Sequence, residues 1–211
     1  MSQDNKRRVW NFWQQLNNAN ESNVANLARE YLDRAIDLTA AYPINQQRGC
    51  DAVVENFWRP FLRAFPGLRR ECFVFISGSF AEKNWVAATG VFTGTFARDW
   101  LDIPASGKPT TIRFGEFCAV RDGKIFENYL LLDLVDVMRQ AGIRVLPVSP
   151  GDENYFPPST GASGVLLEPQ DECESQTSLQ LVEAMLGGLA HYDGADARKM
   201  KQTDFWSPQM H

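Results

Sequence analysis

Histidine is scarce in this chain, two residues in 211, and there are four cysteines. Cys50, Cys72, Cys118 and Cys173 stand far apart and form no Cys-x-x-Cys pair, so a zinc site or other metal centre is not expected. Cys72 and Cys118 fall in strand-like runs and read as small core residues. Runs such as Lys6-Arg7-Arg8 and Arg69-Arg70 are too short to offset a net charge of −5, which excludes an extended nucleic-acid surface. No apolar stretch reaches the roughly 20 residues of a membrane span. The opening MSQDNKRRVW lacks the apolar centre of a signal peptide, so the cytoplasm is the expected compartment, with neither membrane nor nucleic acid as partner. What the chain does have is aromatic surface, 14 Phe and 6 Trp, enough to wall an apolar interior.

Residues 1–19 are polar, but Trp10, Phe12 and Trp13 mark them as a segment that docks on something. From Ser22 the spacing of Val24, Leu27, Tyr31, Ala35 and Leu38 predicts a helix that ends at Tyr42-Pro43. After a turn at Asn45–Gly49, Asp51 reads as the cap of a second helix running to Pro66-Gly67, with a break near Trp58-Arg59 because Pro60 lies inside the pattern. The period then changes. Runs 71–80 and 85–96 are β-branched and aromatic, with Glu82-Lys83-Asn84 between them as a hairpin loop. Residues 98–109 form a loop. Strands at 110–121 and 124–133 follow, joined by a tight turn at Asp122-Gly123, with a helix at 134–141. Helices followed by antiparallel strands predict an α+β domain over residues 20–143. Residues 144–177, rich in proline, read as a linker, and 178–211 as a helical tail around Leu179, Val182, Met185, Leu186 and Leu189.

Two acids stand out. Asp133 ends the apolar run Leu130-Leu131-Leu132, and strand parity puts it on one face with Ile125, Glu127, Tyr129 and Leu131. If that face lines an interior, desolvation raises the Asp133 pKa and suits it to take a proton next to a carbonyl. Otherwise it caps the helix that begins at 134. Glu116 is the one charge on the face shared by Ile112, Phe114, Cys118 and Val120. It is either a pocket acid or an outward charge paired with a neighbour such as Arg113 or Arg121. Trp58, Phe92 and Tyr129 are either core or ligand wall, and the Tyr31 hydroxyl either reaches that pocket or stays in the core.

The order Gly90-Val91-Phe92-Thr93-Gly94, LDIPASGK at 101–108, Asp122-Gly123-Lys124-Ile125, Glu127-x-Tyr129, and Asp133 seven residues before Gln140-Ala141-Gly142 resembles the SnoaL-like polyketide cyclase and ester cyclase family. So does Phe57-Trp58-Arg59-Pro60-Phe61, and the likeness covers residues 24–143. The resemblance implies the nuclear-transport-factor-2-like fold: a cone-shaped barrel of bent antiparallel sheet wrapped by N-terminal helices around a deep apolar pocket. It also implies a ring closure of aldol type on an apolar or aromatic small molecule, without cofactor. The family acid falls on Asp133. The residues' own placement makes Glu116 the second candidate catalytic carboxylate, and Tyr129, Asn128, Phe92, Trp58, Arg113 and Tyr31 the candidates for the substrate side. Two positions depart from the family pattern, since its histidines are replaced by Phe92 and Asn128. A non-catalytic ligand-binding or dimerisation module is the alternative, and a homodimer through the sheet is expected from the fold. The tail, MLGGLAHYDG at 185–194 and Phe205-Trp206-Ser207-Pro208, is similar to the opening of a second such module, which suggests a truncated tandem member.

Overall fold

The hairpins legible in the sequence form the middle of a curled seven-stranded sheet. The computed structural model describes residues 2–151, 153 and 164–206. Two compact units divide the chain at Leu167 and Glu168. In the first, helices α1 (Ser2–Leu16) and α2 (Val24–Tyr31) precede strands β1 (Leu32–Ala40) and β2 (Gln46–Arg48). A composite helix follows as α3 (Cys50–Val53), a π-helical turn (Val54–Trp58) and α4 (Arg59–Ala64). The long strands are β3 (Arg69–Phe80), β4 (Lys83–Thr95), β5 (Pro109–Arg121) and β6 (Lys124–Leu132). Helix α5 (Leu134–Gln140) and the short β7 (Gly164–Val165) complete the unit. The sheet order is β2-β1-β6-β5-β4-β3-β7. Pairing is antiparallel except for β1 with β6 and β3 with β7, which are parallel.

The two tight turns follow from backbone chemistry. Asp122 and Gly123 both take positive φ (51° and 71°), as do Ala81 and Glu82 (48° and 61°). Left-handed conformation at both central residues matches the twist of the flanking strands. The first hairpin loop is therefore Ala81-Glu82, with Lys83 and Asn84 already in β4. The composite helix loosens into its π turn just before Pro60, where proline removes a backbone donor and crowds the preceding turn.

Three expectations are corrected. Residues 1–19 are largely helix, and Val9, Phe12, Trp13 and Leu16 at three- and four-residue steps bury one face of α1 in the domain's own core. The helix expected to run from Ser22 to Tyr42 stops at Tyr31. Leu32 to Ala40 is a strand, with Ile36 and Leu38 buried in alternation and a parallel ladder to β6. A sheet partner distant in sequence overrides local helical spacing here. The turn after it contains β2, and Gly49 rather than Asp51 occupies the cap position.

In the second unit, α6 (Glu172–Leu189) starts inside the stretch expected to be linker, where the Asp171 side chain accepts from the Glu174 amide. Two 3-10 turns follow at Ala197–Met200 and Gln202–Phe205. The Gln202 amide donates to the Met185 carbonyl at 2.8 Å. Part of the expected linker, and the last residues of the expected second-module start including His211, lie outside the described residues.

The crossing of β3 and β4 depends on an absent side chain. A Cβ on Gly90 would stand 2.0 Å from the Glu71 carbonyl oxygen and 2.9 Å from the Phe114 ring. Gly90→Ala is expected to destabilise the fold by about 3 kcal/mol, because backbone rather than a flexible side chain must yield. Urea unfolding monitored by tryptophan fluorescence measures this, and a midpoint unchanged from the native protein would contradict it.

Candidate functional site

Which residues of β6 face the interior is decided by one irregularity. Val120 pairs with Ile125, but Ala119 pairs with Glu127, so Phe126 is an extra residue in β6. Such a bulge moves every later side chain to the other face. Ile125 is buried, and beyond the bulge Asn128, Leu130 and Leu132 are the buried set. Glu127, Tyr129 and Leu131 lie on the outer face instead. On β5 the expected face holds: Ile112, Phe114, Glu116, Cys118 and Val120 all point inward. Across the register, Phe92 is inward on β4 and pairs with Arg70 on β3.

These side chains meet in a buried polar cluster. Arg70 and Glu116 are 2% and 3% exposed and pair at 2.6 Å, Nη1 to Oε2. The Asn128 amide donates to Glu116 Oε1 at 3.0 Å and to the Phe117 carbonyl at 3.2 Å. The Cys118 thiol approaches Oε1 at 3.6 Å. Three rings enclose the guanidinium carbon: Trp13 at 4.2 Å, Phe92 at 4.5 Å and Phe114 at 4.5 Å. Each such ring contact contributes about 0.5–2 kcal/mol, and the Glu116 carboxylate answers the charge that burial deprives of water. Glu116 is thus the inward acid, and its partner is Arg70 rather than Arg113 or Arg121.

Arg70 and Trp13 are the residues that sequence reasoning did not assign to the site. Arg69-Arg70 looks like a surface pair, and strict alternation puts Arg70 opposite Phe73 and Phe75. Phe73 is itself an extra residue, since β3 shifts register between Cys72 and Val74. Arg70 and Phe75 therefore both end up buried. Trp13 belongs to the segment expected to dock, and what it meets is the Arg70 guanidinium of its own domain.

The remaining candidates separate. Asp133 is the cap of α5, accepting from the Asp136 amide at 3.0 Å, and pairs with Arg113 at 2.7 Å. The bulge turns this end of β6 over, so Asp133 faces away from the cone interior, and its apolar neighbours are instead Val135, Ile143, Val145, Leu146 and Pro147. Asp133 and Arg113 line a cleft of about 420 Å³ on the Arg113 face of the sheet, with Asp136, Arg139, Arg144 and Glu153. Arg139 pairs with Asp136 there, and Arg144 with Glu153. The Arg144 guanidinium and the Ser149 amide together hold the Glu153 carboxyl down at about 2. Tyr129 is on the outer face, donating to Glu127 at 2.8 Å, which raises its own pKa. Tyr31 and Trp58 are inside, both against Phe12, with ring centroids at 5.2 Å and 6.5 Å. The Tyr31 hydroxyl meets the Gln15 amide at 2.6 Å. A second cleft, of about 520 Å³, runs beside Arg29, Arg34, Arg48 and Lys124.

The cysteines follow their surroundings. Burial pushes the Cys118 thiol well above its ordinary range and the Cys72 thiol up to about 11, while Cys173 is exposed. Since the thiolate is the reactive form, brief iodoacetamide treatment at pH 8 is expected to alkylate Cys173 and to spare Cys118 until the protein is unfolded. Peptide mass spectrometry reads the pattern, and rapid native labelling of Cys118 would contradict the buried cluster.

Comparison with known proteins places this geometry in a family. Residues 7–141 match the model for SnoaL-like polyketide cyclase, a span that begins inside α1 and ends just after α5. No curated protein matches the chain. Among solved structures, a SnoaL-like polyketide cyclase from Jannaschia sp. CCS1 is similar, with a TM-score of 0.55 and 17% identity over 68% of this chain and 94% of that one. IdmH, a polyketide cyclase by description from Streptomyces antibioticus, has a TM-score of 0.54 and 18% identity, covering 66% of this chain and 99% of that one. AclR from Streptomyces galilaeus, described as a hydroxylase, has a TM-score of 0.56 and 16% identity over 70% and 100%. At such identities the structures establish the fold, and the family match extends from the docked α1 through the sheet that carries Arg70, Glu116 and Asn128. The chain belongs to the SnoaL-like polyketide cyclase family.

Proposed function

We propose that this protein is a small-molecule enzyme of the polyketide cyclase type, with Glu116 as its acid/base. The observation that supports this reading is the buried Glu116 carboxylate, held inside an aromatic cone by Arg70 and Asn128. A carboxylate has about four acceptor positions. Arg70, Asn128 and Cys118 use three of those on Glu116. The position left free can take a proton from a carbon next to a ligand carbonyl. The resulting carbanion attacks a second carbonyl of the same molecule, forming a carbon–carbon bond, and the new alkoxide recovers the proton from Glu116. The proton taken is the proton returned, so the ring closure balances without a cofactor. Phe92 and Phe114 supply the apolar walls, and Asn128, in a family histidine position, orients the carboxylate instead of moving protons itself. Asp133 serves as helix cap and partner of Arg113.

The test uses 2-tetralone in D₂O, with exchange of its activated hydrogens followed by NMR. Glu116→Gln keeps the shape but strands the buried Arg70 charge, so it is read only where circular dichroism shows a native fold, and there it is expected to lower the protein-dependent exchange rate by about 100-fold or more. Asp133→Asn, which preserves a good cap, is expected to stay within a few-fold of the native rate. The reverse pattern would move the acid to Asp133 and to the outer cleft.

A second reading concerns assembly and is favoured by the outer face of the sheet. Ile76, Ala87, Phe117, Tyr129 and Thr39 lie in one row across five strands by register. Ile76 is 58% exposed, Phe117 53% and Tyr129 44%, with Leu131 at 64% in the adjoining row. Apolar surface of this extent is a recognised mark of association, and an isologous dimer would cover the same patch twice. Phe117→Glu is expected to leave the fold intact and to convert the dimer to monomer in sedimentation velocity. A native chain that sediments as a monomer at 100 µM would rule this assembly out.

A further inference from the structure

The Arg70 cluster is only partly satisfied. Nη1 is bonded to Glu116, but Nε and Nη2 are buried without a hydrogen-bond partner, and so is the indole nitrogen of Trp13. A buried donor left unpaired costs about 1–3 kcal/mol, and native proteins leave few of them. Three in one ring-walled cluster call for an acceptor that is not part of the protein. Their geometry restricts it. Nε–H and Nη2–H project in parallel from one edge of the planar guanidinium, which is the fork that grips two coplanar oxygens. The guanidinium charge is already met by Glu116. An added carboxylate would be a second anion beside that acid, and one of the two would have to take up a proton.

We propose that Nε and Nη2 of Arg70, with the indole N–H of Trp13 beside them, hold a neutral conjugated ligand through two coplanar oxygens, the carbonyl–enol pair being the simplest such group. This rests on the reading of the cone as the ligand site and adds what recognises the ligand. Arg70 and Trp13 are then the specificity-determining residues, and Trp13 brings α1 into the site. An ester or ketone with one accessible oxygen would engage only half of the fork.

The probes are 1-phenylbutane-1,3-dione, which offers the neutral pair at pH 6, and benzoate, which offers two oxygens with a charge. Titration of the ¹⁵N-labelled full chain is followed at the Arg70 Nε–H and Trp13 indole signals. The dione is expected to shift both downfield and to bind at least tenfold more tightly than benzoate. Trp13→Phe keeps a ring over Arg70 and removes one donor, and is expected to weaken the dione by about tenfold. The Arg70→Met, Glu116→Gln double variant replaces the buried pair without stranding a charge and is expected to abolish the shift of the indole signal. Tighter binding of benzoate overturns the proposal in favour of an anion site. Dione binding that leaves both N–H signals in place, or that Trp13→Phe does not weaken, overturns it outright, the open donors then being met by water. The 2-tetralone exchange assay is separate. Exchange without these shifts keeps Glu116 as acid/base and removes the donor site, whereas shifts without Glu116-dependent exchange do the opposite.

Discussion

A guanidinium buried in the middle of a protein is stable only if its charge is answered and its faces are covered, and the inside of this cone is arranged around that requirement. Arg70 comes from β3, its carboxylate partner from β5, the amide that steadies Glu116 from β6, and the rings from α1, β4 and β5. One helix and the four long strands of the first unit therefore converge on one ion pair. Removing either partner would leave the other as an uncompensated buried charge, which typically costs about 3–5 kcal/mol. The apolar remainder fills the other part of the interior by ordinary ring packing, with Phe61 stacked on Phe57 and Trp100 and Phe65 set edge-on to Phe61 and Trp100.

Much of the architecture was legible because it rests on local chemistry. Asp122-Gly123 had to be a tight turn, Pro60 had to disturb its helix, and the alternation through Ile112, Phe114, Glu116 and Cys118 was uninterrupted, so its face could be read off. The strand at 32–40 was not legible. Its residues satisfy helical spacing as well as alternation, and only the distant partner β6 decides between them. The site was half legible for a related reason. Glu116 and Asn128 stand out in the sequence, whereas one inserted residue, Phe73 in β3, hides the face of Arg70, and another, Phe126 in β6, decides between the two readings of Asp133 in favour of the helix cap. A bulge is a property of two paired strands, so one strand's pattern does not reveal it.

The two carboxylates singled out by the sequence are separated as a result. Asp133, which the sequence left open between pocket wall and helix cap, is the cap, paired with a half-exposed arginine. Glu116, which parity left open between inside and outside, is the one that is dry. The family histidine positions fit this separation. Asn128 can donate to Glu116 without competing for its proton, and Phe92 presents a ring face to Arg70 where an imidazole would add a second titrating group.

The parallel ladder between β1 and β6 also constrains how the chain reaches this state. Leu38 pairs with Asn128, so the edge of β1 stays open until nearly all of the first unit has been made. Contacts so distant along the chain slow folding, because the loop between them must close before they contribute. During synthesis the N-terminal helix that carries Phe12 and Trp13 emerges long before the β3–β4 hairpin that it packs against. The order of assembly is therefore set from the C-terminal side of the domain, and its early segments are the ones most in need of shelter from other chains.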